Sequence, residues 1–211
     1  MEGTFRGPHP PGLRLVETLR WQPGPGFQRL DAHLARLAAG AATLGFRFDR
    51  AAVDRALAET GGTADLRVRL TLDAAGHAKT TAAPLGPART PWTLTLAETP
   101  LHSGDPWLHL KTTHRPIHDA ARARLPEGID EALLLNARGE LCEGPITNVF
   151  VARDGLLLTP PLACGLLPGV LRADLLARGE AREAILHPRD LAEAPVFVGN
   201  SLRGLIPARL A

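Results

Sequence analysis

Lysine is nearly missing from this chain: among its 24 basic residues only Lys79 and Lys111 are lysines. Arginine serves wherever a generic cation suffices, so the two lysines direct attention to chemistry that a guanidinium cannot perform. An amine can lose its proton and add to a carbonyl, whereas a guanidinium stays charged. Cysteine is as scarce. With only Cys142 and Cys164 a disulfide framework is not expected, and both read as small buried residues. No apolar run is long enough to span a membrane, and the opening MEGTFRGPHPPG lacks the apolar core of a signal peptide. Excess charge is missing too: the formal net charge is +2 and the basic residues are scattered, which gives no reason to expect nucleic acid. His109, His114 and His118 surround Lys111, but at irregular spacing and with no carboxylate or cysteine pattern suited to zinc, so no metal is expected. What remains reads as a soluble, cytoplasmic chain. Its 211 residues, 45% of them hydrophobic, allow one large domain or two small α/β lobes.

Periodicity divides the chain into elements. Leu13–Trp21 alternates as a strand, and Gln22–Gly26 is a turn. Asp31 is placed to cap a helix whose apolar positions Leu34, Leu37, Ala38, Ala41 and Leu44 recur at helical spacing up to Gly45. A second helix runs from Asp49 to Glu59. Leu66–Leu72 and Ala78–Ala82 form a hairpin, with Lys79 on its polar strand facing solvent. Pro84, Gly86, Pro87 and Pro91 mark a linker, dividing a small N-terminal α/β lobe (1–87) from a larger C-terminal one (88–211). In the second lobe the pattern predicts strands at Trp92–Leu96, His109–Thr112, Glu131–Leu135, Leu141–Ala152, Leu156–Thr159, Ala184–Leu186, Val196–Val198 and near Ile206. Helices are predicted at Ile117–Leu125 and Gly169–Ala177, with a short one from Arg189.

Three features of the second lobe carry chemistry. Lys111 sits between a strand-like segment and a loop, a position from which a side chain can project into a cleft. Glu143 lies where Gly144 and Pro145 interrupt a strand, so that backbone can approach a ligand. Gly165–Gly169 feeds directly into a helix, whose free N–H groups and positive dipole end suit an anion. An amine, a carboxylate and an anion cradle are the parts that a pyridoxal 5'-phosphate (PLP) enzyme needs.

Their order resembles the class IV aminotransferases, the PLP group that includes the D-amino-acid and branched-chain aminotransferases and 4-amino-4-deoxychorismate lyase. The resemblance runs through Lys111-Thr-Thr-His-Arg115, Asp130–Asn136, Gly139–Gly144, Thr147–Phe150, Leu158–Leu162, Gly165–Arg172 and Val198–Arg203. Earlier in the chain it includes Val16-Glu-Thr18 and His33-Leu-Ala-Arg-Leu37. It implies the two-lobed mixed α/β fold of the D-amino-acid aminotransferase type with a shortened N-terminal lobe, and a homodimer. It also implies PLP as cofactor, held by Lys111 as a Schiff base with Glu143 against the pyridine nitrogen. Arg36, the Gly169-Val170-Leu171 backbone, Asn200 and Ser201 fall to the phosphate region, with Asn148 and Leu167 also at the cofactor. Arg36 fits such a role by chemistry, since a guanidinium matches a phosphate with two directed hydrogen bonds. His33, three residues earlier on the same helix face, reads as structural. Arg115 and Arg203 are candidates for substrate carboxylates.

The chain departs from the family in two ways. Little remains of the longer N-terminal strand, and there is no tyrosine at all, whereas the two transaminase types place tyrosines around the cofactor, one of them where this chain has Pro116. These departures and the wording of Lys-Thr-Thr-His-Arg and Gly-Asn-Ser-Leu-Arg-Gly favour 4-amino-4-deoxychorismate lyase, which forms p-aminobenzoate and pyruvate in folate synthesis. An amino-acid aminotransferase is the alternative, and a non-catalytic PLP-binding relative a third reading.

Overall fold

The computed structural model describes residues 9–87 and 89–211. Two compact units result, one formed by Met1–Pro87 with Leu110–His114 and the other by Ala88–His109 with Arg115–Ala211. Both mix helix and sheet, so the two-lobed α/β architecture expected from the sequence is the one found.

In the first unit β1 (Leu15–Gln22) pairs antiparallel with β3 (Leu66–Leu72), from Leu15 opposite Leu72 to Trp21 opposite Leu66. The short β2 (Gly26–Phe27) and β4 (Ala78–Pro84) complete a sheet of order β2-β1-β3-β4. Alternation along β1 puts Leu15, Glu17 and Leu19 on one face, opposite Leu72, Leu70 and Val68, and all six are buried. Helix α1 (Leu30–Leu44) packs on β1 and buries Leu34, Leu37, Ala41 and Leu44. Gly40 permits the close approach, because a Cβ there would lie 2.8 Å from Leu15 Cδ2.

Asp49 caps α2 (Arg50–Ala58) by accepting from the N–H groups of Ala51 and Ala52. The expected Asp31 cap of α1 is not what forms. That helix starts at Leu30, and its N-cap is Arg29, two residues before Asp31, in the left-handed region at φ 52°. The ladder with β1 continues as far as Gln28, whose N–H donates to Arg20 O at 2.9 Å, so the chain must reverse within one residue. Asp31 is left in the first turn, where its charge still opposes the positive helix end.

The second unit is built on a sheet of order β6-β5-β11-β10-β7-β8-β9. Its strands are β5 (Trp92–Leu96), β6 (Glu131–Leu133), β7 (Asn148–Arg153), β8 (Leu156–Thr159), β9 (Ala181–Glu183), β10 (Val196–Asn200) and β11 (Gly204–Leu210). The pairs β5–β6, β5–β11 and β8–β9 are parallel and the others antiparallel. One apolar cluster (Leu94, Leu133, Val149, Val151, Val198 and Ile206 at its centre) fills one face. Helix α4 (Val170–Ala177) covers Phe150 and Ala181 with Leu171 and Leu175. Helices α3 (Pro116–Ala123) and α5 (Asp190–Glu193) complete the unit.

Three local expectations need correction. Pro106–His109 is a 3-10 turn rather than part of a strand, and extended pairing begins only at the Leu15–Thr112 bridge. The strand expected at 184–186 lies at 181–183, where Ala181 pairs with Leu157 beside the α4 cluster. The apolar Ala-Ile-Leu run misleads because only Leu186 enters the core, whereas Ile185 is 57% exposed. The segment 141–152 is not one interrupted strand. The interruption is a reverse turn at 144–147 closed by a Glu143–Asn148 bridge, and the ladder starts at Asn148. Among the described residues no helix is long and apolar enough to cross a membrane.

Candidate active site

Within the first unit, Lys111 lies in an extended segment alongside the start of β1. Val16 N–H donates to Lys111 O at 2.9 Å and Thr113 N–H donates to Arg14 O at 2.9 Å. Lys111 is half-buried, whereas Lys79 on β4 is exposed. Next to Val16 is Glu17, a carboxylate on the apolar face of the sheet and 1% exposed. Helix α1 supplies its partners. Arg36 donates from Nε to Oε1 at 2.8 Å and from Nη2 to Oε2 at 2.6 Å, and His33 Nδ1 is 2.7 Å from Oε2. Burial alone would raise the Glu17 pKa. The charge of Arg36 and the hydrogen bonds from Arg36 and His33 outweigh it and hold the carboxyl down at about 2. Arg36 is thus firmly ionically paired, and His33 is the buried structural residue expected. The sequence reading assigned Glu17 no role. A signal existed, since Glu17 occupies the inward register of an alternating strand and His33 and Arg36 share one face of the next helix.

Within the second unit the turn at 144–147 is held from several sides. Gly144 N–H donates to Thr147 O at 2.8 Å. Arg115 donates to Pro145 O at 2.6 Å, and Asn200 Nδ2 donates to Ile146 O at 3.1 Å. Glu131 Oε2 accepts from Ile146 N–H at 3.2 Å and from Thr147 Oγ1 at 3.0 Å. Position 144 admits only glycine, for a Cβ would sit 2.6 Å from Glu131 Cγ. The turn delivers Glu143 and Asn148 at its two ends. Glu143 is 5% exposed, and His118 Nε2 donates to its Oε1 at 2.9 Å.

Asn148 Nδ2 donates to Leu167 O at 3.1 Å, and its Oδ1 occupies the space that a Cβ on Gly169 would fill, at 1.9 Å. Gly169 is the N-cap of α4 and, being glycine, brings no side-chain cap to the first N–H groups of that helix. Val170 and Leu171 behind it are buried, and Leu171 Cδ2 would lie 2.9 Å from a Cβ on Gly199. Gly199 pairs with Asn148 across β10 and β7. Asn200 Oδ1 accepts from the N–H groups of Leu202 and Arg203 and shapes the turn that carries buried Ser201. Glu143, Asn148, Leu167, Gly169, Leu171 and Asn200 therefore form one network of contacts in the second unit, with Ser201 and Arg203 in the adjoining turn. Arg36 and Lys111 belong to the first unit. Arg115, besides its bond to Pro145, pairs with Asp119 at 2.9 Å.

Glu131, missed in the sequence, is wholly buried, and its Oε1 has no hydrogen-bond partner. Burial pushes its carboxyl up to about 7, against the opposing pull of the Thr147 and Ile146 bonds and the charges of Arg122 and Arg115. The folded state then holds this proton more tightly than the unfolded chain, so stability is full below about 4.5 and declines as pH rises through 7. Chemical denaturation at pH 5 and pH 8 should show Glu131→Gln matching the parent at the lower pH and exceeding it at the higher. The expected difference is on the order of 1–3 kcal/mol, and equal stability at both would refute the assignment. Cys142 and Cys164 are pushed up by burial to about 12 and about 11, which keeps both thiols protonated and inert. Among the described residues no three His, Cys, Asp or Glu side chains are grouped to hold a metal ion.

A buried carboxylate behind a strand turn, next to a helix start whose N-cap is glycine, is the kind of site that serves an anionic ring cofactor. The chain belongs to the amino-transferase class IV family, which it matches over residues 14–211, and the family is one of PLP-dependent enzymes. A solved structure from Mesorhizobium loti, described as a "Putative amino-acid aminotransferase", is 49% identical. It superimposes with a TM-score of 0.91 over 94% of this chain and 100% of that one. The "Putative aminodeoxychorismate lyase" of Schizosaccharomyces pombe is 33% identical over 161 residues, 73% of this chain and 70% of its own length. The "Probable branched-chain-amino-acid aminotransferase" of Thermotoga maritima is 32% identical over 106 residues. That stretch is 47% of this chain and only 38% of the relative.

Proposed function

We propose that this chain is a PLP-dependent 4-amino-4-deoxychorismate lyase. The observation that carries the cofactor reading is the buried Glu143. One oxygen is fixed by His118, and Oε2 has no bonded partner among the described residues. That arrangement fits a protonated ring nitrogen. The start of α4, whose N-cap Gly169 brings no side chain, fits a phosphate, with Asn200 in the same network and Ser201 in the adjoining turn. Lys111 would hold the cofactor through its amine, and Asn148 and Leu167 would shape the wall beside it. When bound, PLP supplies an electron sink that lets a C–H bond beside an amino nitrogen ionise.

Lys111 is the base for that proton, which an amine can accept and an arginine cannot. In the lyase reaction the proton leaves the ring carbon bearing nitrogen, and the bond from the ring to the enol-ether oxygen breaks. The departing group takes up a proton on its methylene carbon to become pyruvate, and the ring becomes aromatic p-aminobenzoate. The S. pombe relative, matched over most of both chains, and the absence of tyrosine support this outcome. The Mesorhizobium loti structure supports a second reading, amino-acid transamination, in which the proton is returned at a different carbon. Both share proton removal by Lys111, so the product decides. The PLP-loaded protein should release p-aminobenzoate from 4-amino-4-deoxychorismate at catalytic rates. Absence of release, together with oxo-acid formation from amino acids, would replace the lyase by the transaminase.

A further inference from the structure

The His118–Glu143 pair touches the residue on which the PLP reading most depends. Both side chains are enclosed, at 12% and 6% exposure, and the contact is 2.9 Å. Oε1 can only accept from the ring, so Nε2 carries the hydrogen; Nδ1 makes no bond with the described residues. Helix α3 brings His118 there by construction. Arg115, its N-cap, is tied to Pro145 O in the turn that follows Glu143. Ile117 and Ala121 pack on the cluster of Leu101, Leu108, Leu134, Cys142, Cys164 and Leu166. His118, just inside the helix, thus arrives at the carboxylate from an element fixed at two points.

We propose that His118 is a positioning residue for Glu143, holding Oε1 so that Oε2 is presented to the cofactor ring in one orientation. A buried carboxylate with no donor would rotate among its χ3 positions and leave one oxygen unpaired, and both effects weaken a directed contact to the ring nitrogen. The inference rests on the PLP reading of the site.

PLP titration of the apoprotein, followed by absorbance and tryptophan fluorescence, tests it without reference to turnover. His118→Phe, which keeps the ring volume and removes the donor, should raise the dissociation constant about tenfold. His118→Gln, whose amide N–H falls near the place of Nε2, should restore most of the affinity. His118→Asn, too short to reach Oε1, should behave like His118→Phe and replaces it if that variant does not fold. In a Glu143→Gln background the His118→Phe change should have little further effect, because the two residues act as one unit. Wild-type affinity in His118→Phe and His118→Asn, beside a clear loss in Glu143→Gln, would overturn the proposal and leave the PLP reading standing. Tighter binding on loss of the donor would overturn it as well, since His118 would then compete for the carboxylate. A wild-type protein that binds no PLP would remove both.

Discussion

Lys111→Ala is expected to abolish the visible absorbance of the lysine-bound cofactor and to lower turnover by two to four orders of magnitude, roughly the contribution of a positioned general base. Lys79→Ala is expected to leave both unchanged, because that side chain projects from an exposed strand of the first sheet. The contrast is informative because the chain has no third lysine to substitute. Added small amines should partly restore proton transfer in Lys111→Ala. A normal visible spectrum in that variant, or equal losses in both variants, would sink the assignment of Lys111.

Glu17→Ala is expected to be the most destabilising single change in the first unit, by roughly 3–5 kcal/mol at pH 7. The loss is not that of a surface ion pair. His33 is 1% exposed, and the Arg36 side chain 15%, so removal of the carboxylate strips a buried donor and a largely enclosed charge of the bonds that Glu17 gives them. The folded-state pKa of Glu17 is depressed to about 2, so its contribution is present above the ordinary value of 4.5 and lost as pH falls through 2. Over that range the loss is on the order of 3 kcal/mol. Urea unfolding of parent and variant should therefore show a wide gap at pH 7 that narrows towards pH 3. A constant gap would mean that the variant acts through packing rather than charge. Glu17 follows Val16, whose N–H bonds Lys111 O, so the same substitution should also loosen the lysine segment.

Much of this architecture was legible where the cause is local. Asp49 caps α2 because its side chain satisfies the two N–H groups immediately following, and the hairpin of β3 and β4 follows from alternation around Gly76. The start of α4 at Gly169 was legible from a Gly-rich approach to an amphipathic run. What escaped depends on partners distant in sequence. The side of β8 on which β9 pairs decides which residues of 181–186 enter the ladder, and nothing in Ala184-Ile-Leu186 encodes that choice. Glu131 heads a predicted strand, and nothing in the local pattern marks it as enclosed. Its burial follows only when the turn at 144–147 folds over it, and Gly144 is the residue that makes room.

The candidate site divides in the same way. Glu143, Asn148, Leu167, Gly169, Leu171 and Asn200 fall into one contact network, and the residues quoted for the family resemblance had named each of them. The roles given to Lys111 and Glu143 came from that resemblance, as spacing alone left an amine and a carboxylate without a common purpose. Glu131 and the His118 contact were invisible because each is defined by what folds against it, and Glu17 was signalled only by its inward register opposite the helix face of His33 and Arg36. His118 had drawn notice only as one of three histidines near Lys111, and the reason it matters is its 2.9 Å contact to a carboxylate 25 positions away in sequence.

The central claim, that this chain carries PLP on Lys111, is tested most directly by reduction of the PLP-loaded protein with borohydride followed by peptide mass mapping. The account predicts one phosphopyridoxyl group, on the peptide containing Lys111 and on no other. Modification at Lys79, or none at either lysine after visible loading, would contradict it.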